Sequence, residues 1–546
     1  MTRNPYPATE FQPHAYGTAG LAVLIALYLL PGLIGHDPWR GDDARHFGPV
    51  FEILTGNGAL FPHIAGEPAT NFPPLYYWTG ALLATLLGWL VPLHDAARLS
   101  TALFTALTIF WIARASSRLY GRHTRTAAAL LTLGTLGLVL HAHEMQPMIA
   151  LIAMQAMTLA GLSLVPTRPV AGSVQAGMGA ALAFLAAGLP GVLLTVPLFL
   201  AVLAASPECR NPRASGGLIL GLSLAIGVSA IWPLILHYRN PELLALWWRS
   251  EWATFGSDAL STQDLPRLFE LLGWFVWPLW PIALWSLWRA RTQLALIAWT
   301  LPITAALLAI AWIVANGTLG PPAMLPLIPP VALLAAAGVP SLRRGAANAF
   351  DWFAVMTFAV FGILVWIAWT AQVFHWPPGL ARHLARISPE FELRGTLTQA
   401  LVGVGISITW LLLMWRLPRT LSRGPASWAM GMTMLWCLAV ALLMPWFDHD
   451  RSYRPVAESL AIALSGERDG CVATLGLSTA QRASFHYFAN LRPERVSGNE
   501  TACRLLLVFD DRGNLAVTPE EEWQPIWTYR RGGGNQLEVF RLFRRD

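Results

Sequence analysis

The chain has 546 residues, of which 55% are hydrophobic and 12% charged, with a mean hydropathy of +0.48. That balance excludes a soluble globular domain, and apolar runs near the ~20 residues a bilayer-spanning helix needs recur from about Tyr16 to Trp446. The net charge of +6 comes from arginine, with no lysine in the chain. In such a chain a basic excess marks cytoplasmic loops that hold orientation, which excludes a nucleic-acid-binding role.

The first apolar segment runs from about Tyr16 to Ile34. It lacks a small-residue cleavage site after it and reads as a retained helix. The stretch from residue 35 to 78 follows, and it concentrates charge: Asp37, Arg40, Asp42, Asp43, Arg45, His46, Glu52 and Glu67. Charges so dense beside a membrane span are costly unless they stay wet or have a task. The i, i+3, i+4 and i+7 spacing of Asp42, Arg45, His46 and Pro49 predicts one helix face carrying a carboxylate, a guanidinium and an imidazole.

The apolar stretch Leu75–Leu93 is expected to lie along the interface, or dip in and return. A full crossing would put Arg114, Arg118, Arg122 and Arg125 on the same side as the acidic loop. Spans are then expected near 97–113, 126–143, 147–164, 176–188, 189–205, 217–236, 271–288, 293–313, 323–340, 351–371, 397–415 and 427–446. With the first segment the count is thirteen, and the short loops on one side are all basic. A cytoplasmic N-terminus leaves the acidic loop, the turn His141–Pro147, the segment His237–Glu270 and the tail on the outer face. Gly188-Leu-Pro-Gly191 reads as a break between two helices.

After Phe447 the composition changes, and a helix (Arg454–Leu464) and strands (Cys471–Leu477, Arg504–Phe509, Ile526–Arg530, Gln536–Leu542) predict a small α/β domain over 447–546. Residues 1–446 form the expected transmembrane domain. Cys471 and Cys503 share the tail, where a disulfide and two free buried thiols are both compatible with the spacing.

The order Asp42-Asp43-x-Arg45, Glu52, Gly56, Pro62, Gly66 and Pro73-Pro74-Leu75-Tyr76-Tyr77-Trp78 resembles the first periplasmic loop of family 39 glycosyltransferases. These belong to the membrane GT-C class that includes protein O-mannosyltransferases and lipid A aminoarabinose transferases. The resemblance implies a mainly α, polytopic GT-C fold of about thirteen transmembrane helices in a bacterial inner membrane, with the loop and the small C-terminal domain periplasmic. It also implies a glycosyltransferase that takes a sugar from a polyprenyl-phosphate donor and passes it to a lipid, glycan or protein acceptor. No nucleotide is expected, since the chain has no Walker A, HExxH or G-x-S-x-G motif.

The implied catalytic residues are Asp42, as general base or orienting group, with Asp43 and Glu144. Arg45, His46 and Arg249 are expected on the donor phosphate. Glu52, Asn71, Tyr77 and Glu251 are expected to position the acceptor or a divalent metal (Mg, Mn or Zn). Three positions depart from the family pattern. Gln146 stands before Pro147 where an Asp is common, Phe72 precedes the Pro-Pro pair in place of Lys, and Gly317–Pro326 lacks a cation. A lipid-linked-saccharide flippase and an inactive scaffold of the same ancestry are the alternatives.

Overall fold

The structure is a computed structural model. It describes residues 17–70, 72–253, 260–317, 319–388, 391, 396–418, 420, 422–466, 471–496, 501–511, 523–532 and 537–545.

The loop region begins with α1 (Thr18–Leu29), α2 (Asp42–Leu54), the two-residue strands β1 (His63–Ile64) and β2 (Glu67–Pro68), and α3 (Leu75–Leu87). The bundle continues with α4 (Leu93–Tyr120), α5 (Arg125–Leu133), α6 (Leu136–His141), α7 (Pro147–Leu162), α8 (Pro169–Ala187), α9 (Leu189–Ala205), α10 (Pro212–Arg239) and α11 (Pro241–Ala253). Then come α12 (Leu265–Phe275), α13 (Leu279–Arg289), α14 (Ile297–Asn316), the single turn α15 (Pro321–Met324), α16 (Ile328–Gly338), α17 (Arg344–Val373), α18 (Pro378–Ile387), α19 (Leu397–Arg416) and α20 (Arg423–Arg451).

Among the described residues, eight helices are long and apolar enough to cross a bilayer, or nine if the α12–α13 pair counts as one span bent by 90°. The expected thirteen segments all carry helix, but not all are full-length spans. α1, α7 and α9 are apolar yet only 12, 16 and 17 residues long, and 126–143 is broken at Gly134 into α5 and α6. α3 has 13 residues, about 20 Å of helix against a hydrocarbon core of ~30 Å, too short to cross. α10, α17 and α19 leave apolar side chains such as Ile226, Ile363 and Leu411 exposed, a surface that water would penalise and lipid would not. α16 is the reverse, with almost every residue buried at the centre of the bundle. The chain is a multi-pass membrane protein.

α20 continues to Arg451 as one 29-residue helix, so the C-terminal domain starts a few residues after the expected 447. The helical run passes through Pro445 and carries Asp448 and Asp450 outward on the same rod. The domain has α21 (Arg454–Leu464), as expected, together with β3 (Val472–Leu475), α22 (Thr479–Ala489), β4 (Glu494–Arg495), β5 (Leu505–Asp511), β6 (Trp523–Arg531) and β7 (Glu538–Arg545). α22 and β4 were not expected. The five-stranded sheet has the order β4-β3-β5-β7-β6, with β3 parallel to β4 and β5, and β7 antiparallel to β5 and β6. Its core joins Val456, Leu460, Phe485, Leu507 and Phe540, and Cys471 and Cys503 form a disulfide.

This domain is docked on the acidic loop. Arg454 and Ser452 bind Asp37 and Arg482 pairs with Glu67, while Asp450, at the end of α20, pairs with Arg40. α22 lies against the back of α2, so close that a Cβ on Gly48 would sit 2.9 Å from the Ala483 methyl group.

Candidate active site

Two adjacent acids open α2, and the structure gives them different surroundings. Gly41, at φ +99°, makes the turn into the helix, a conformation costly for any residue with a side chain. Asp43 points into the protein and is 1% exposed. Its carboxylate accepts from Arg98 Nη2 (2.9 Å) and Nε (3.2 Å), and from the backbone N–H groups of Trp39 (3.0 Å) and Met145 (2.8 Å). Burial alone would raise this carboxyl, but the Arg98 charge and these hydrogen bonds outweigh it and hold it below the usual carboxylate range. Arg98 also donates to Asp95 Oδ1 (2.8 Å) and the Leu33 carbonyl (2.9 Å). The pair thus fixes α2, the loop before it and the turn before α7 to one another.

Asp42, about 100° further round the helix, is half-buried and lines a cavity of about 410 Å³ together with Arg45, His46, Gln146, Ser250 and Glu251. The predicted face is therefore real for Asp42, Arg45 and His46. Gln146, the N-cap of α7, donates from Nε2 to Asp42 Oδ2 (3.0 Å). His46 Nε2 stands 4.0 Å from Asp42 Oδ1, and its Nδ1 is 3.0 Å from the Tyr77 hydroxyl. Burial lowers the His46 pKa to about 4, so the ring is neutral at pH 7. Arg45 forms no ion pair with an acid among the described residues.

A second cavity of about 270 Å³ adjoins Asp42 and is walled by Trp39, His141, Glu144, Trp436 and Arg451. Glu144 Oε1 is 2.6 Å from His141 Nδ1. Burial pushes the Glu144 carboxyl above its ordinary range, with the negative charges of Asp42 and Asp43 adding to this and His141 opposing it. Asp42 is the acid shared by the two cavities.

The remaining expected residues are spread more widely. Glu251 lines the larger cavity and accepts the Leu189 N–H (2.8 Å) at the start of α9, beneath Gly188 at φ +65°. Burial pushes its carboxyl up to about 7. Tyr77 is buried behind His46. Glu52 faces away from both cavities, accepting the Gly66 N–H (2.7 Å) and lying 3.4 Å from His486 and 3.7 Å from Arg492. Arg249 is exposed on α11 and reaches neither cavity wall. Asn71 lies outside the described residues.

Sequence reasoning missed the part played by Gln146, Arg98 and Arg451. Gln146 reads as a lost acid until its contact with Asp42 is seen. The i, i+3 pair Asp95 and Arg98 at the head of a long apolar helix was a visible signal for a buried ion pair.

A metal needs several ligand atoms around one point. Among the described residues, the trio of His, Cys, Asp or Glu that comes together in this way is Cys471, Glu494 and Cys503, and its two sulfurs are joined to each other. Among the described residues, the cavity carboxylates form no such cluster.

Fold and site together define a polytopic membrane protein whose paired-acid loop lines two adjoining cavities. No family model matches the chain. It is 25% identical over 291 residues to an undecaprenyl phosphate-alpha-4-amino-4-deoxy-L-arabinose arabinosyl transferase of Pseudomonas fluorescens, covering 50% of this chain and 49% of the relative. It is 27% identical over 372 residues to the enzyme of that name from Pectobacterium atrosepticum, covering 63% of this chain and 64% of the relative. The chain thus spans from about half to just under two thirds of the length of the curated relatives it matches. Among solved structures it is similar to ArnT from Cupriavidus metallidurans bound to undecaprenyl phosphate, with a TM-score of 0.69 at 17% identity, over 96% of this chain and 97% of that one. The fold is shared along nearly the whole length.

Proposed function

We propose that this protein is an inner-membrane glycosyltransferase that moves a sugar from a polyprenyl-phosphate carrier to a periplasmic acceptor, of which lipid A is the first to test. The observation that carries this reading is that Asp42 is shared by two cavities, with Arg45 on the wall of the larger. The larger cavity would take the sugar and phosphate of the donor, and the smaller the acceptor.

Arg45 would meet the charge that grows on the departing phosphate. Asp42, on the acceptor side, would orient the incoming hydroxyl and take its proton as the hydroxyl oxygen bonds to the anomeric carbon and displaces the lipid phosphate with inversion. Gln146 would hold one Asp42 oxygen, and neutral His46 would face the other without competing as a cation. Asp43 would keep the site in register from behind without touching a substrate. The basic short loops and the positive-inside tendency support a periplasmic loop and C-terminal domain.

The test is mass spectrometry of lipid A and other envelope glycans from cells lacking the protein, complemented with the native chain or with Asp42→Ala. Loss of one sugar-sized mass, restored by the native chain and not by Asp42→Ala, is the expected result. An unchanged profile in the deletion strain would overturn the reading and favour transport or a scaffold.

A further inference from the structure

A different cavity has no part in this chemistry. A groove of about 530 Å³ opens between α13 and α17, lined by Trp277, Trp285, Ala346, Phe350 and Phe353, with one charged side chain on its wall, Arg343. The two helices run antiparallel here. Trp277 packs on Phe353 at one end (5.7 Å between ring centres), and Trp285 Nε1 donates to Ser341 Oγ (3.0 Å) at the other. From Arg344 to Phe353 the groove follows α17 for about 14 Å, close to the ~15 Å depth of one leaflet.

The charged residue on the groove wall, Arg343, lies at the Ser341 end. Arg343 and Arg344 start α17 and Arg289 ends α13, all three are exposed, and none is ion-paired to an acid among the described residues. The nearby Asp351 is engaged by Arg423 and Ser427. The groove is also far from Asp42. Trp428, which stacks on Phe353 (5.8 Å), and Arg451, on the wall of the smaller cavity, lie on the same helix about 35 Å apart.

We infer that this groove is a binding site for a membrane phospholipid with an anionic headgroup, one acyl chain lying along the aromatic wall and the phosphate at Arg343. A leaflet-deep apolar slot ending in unpaired guanidiniums complements an acyl chain and phosphate on both counts. Its separation from Asp42 sets it apart from the donor carrier. The inference stands independently of the transfer reaction.

The test is native mass spectrometry of the full chain released from micelles with added phosphatidylglycerol, phosphatidylcholine or undecaprenyl phosphate. Phosphatidylglycerol should be retained over phosphatidylcholine. Arg343→Gln should weaken its retention roughly fivefold, the effect of about one surface cation, and Ala346→Trp should abolish it by filling the slot. Both positions are exposed, so each variant should elute as the native chain does on size exclusion. Equal retention of the two phospholipids, native-like binding by both variants, or one-for-one displacement by undecaprenyl phosphate would each overturn the assignment.

Discussion

Asp43 and Arg98 form a two-point ion pair, with Nη2 and Nε of the guanidinium 2.9 and 3.2 Å from the two carboxylate oxygens and neither residue more than 1% exposed. They are 55 positions apart in the chain, and their contact holds the acidic loop against the bundle. Removing one partner leaves the other charged and buried. Arg98→Met, which leaves Asp43 buried without its cation, should cost on the order of 3–5 kcal/mol, and Asp43→Asn, which leaves Arg98 its pair with Asp95, should cost less, both read as a lower unfolding temperature of the detergent-solubilised protein. The double variant should lose less than the sum of the two.

Asp42 should behave differently, because it is half-exposed and carries one hydrogen bond from a side chain. Asp42→Asn should lower transfer by roughly 10²-fold or more with little change in unfolding temperature. Gln146→Ala frees one Asp42 oxygen, and a hydrogen bond to a charged group is worth ~1.5–3 kcal/mol, so kcat should fall at least tenfold while KM for the donor changes little. Steady-state kinetics with a polyprenyl-phosphate-linked sugar would separate these outcomes. A Gln146→Ala effect confined to KM would remove it as a positioning residue.

The two arginines expected on the donor phosphate are predicted to diverge. Arg45 is on the cavity wall, whereas Arg249 is exposed and off it. Arg45→Gln should raise the donor KM and depress kcat/KM by roughly 10- to 100-fold, the loss of one charge-assisted hydrogen bond or two. Arg249→Gln should stay within a factor of about two of the native chain.

Glu251 gives a pH prediction. Burial raises its carboxyl from 4.5 to about 7, so between those values the folded chain binds more protons than the unfolded one. The stability it contributes is present below about pH 4.5 and is lost as pH rises through about 7. The native chain should therefore lose on the order of 3 kcal/mol relative to Glu251→Gln between pH 4.5 and 8, measured as the difference in unfolding between the two. Parallel pH profiles would show that the Glu251 carboxyl titrates normally in the folded chain.

Glu52 ties α2 to the C-terminal domain through His486 and Arg492. Glu52→Ala should loosen that docking, and limited proteolysis should release a fragment beginning near residue 452 faster than from the native chain. An unchanged cleavage rate would mean that Asp37 and Glu67 hold the domain without it.

Composition and local pattern determined much of this protein. The apolar runs dictated a helical membrane bundle, since only a backbone that satisfies its own hydrogen bonds survives in hydrocarbon. The spacing of Asp42, Arg45 and His46 placed them on one helix face because that face repeats every three to four residues. Only the tertiary structure decided which of two adjacent acids meets the cavity. Asp42 and Asp43 are chemically alike and neighbours in the chain, and their roles part because Arg98 and Gln146, 55 and 104 positions away from their respective partners, arrive on different sides of α2. The same is true of Glu52, expected to position the acceptor or a metal but engaged by a domain packed behind α2, and of Arg249, turned away from the cavity that its neighbour Glu251 lines. Local periodicity fixes which way a side chain leaves its helix, but what it meets there depends on contacts between segments distant in the chain.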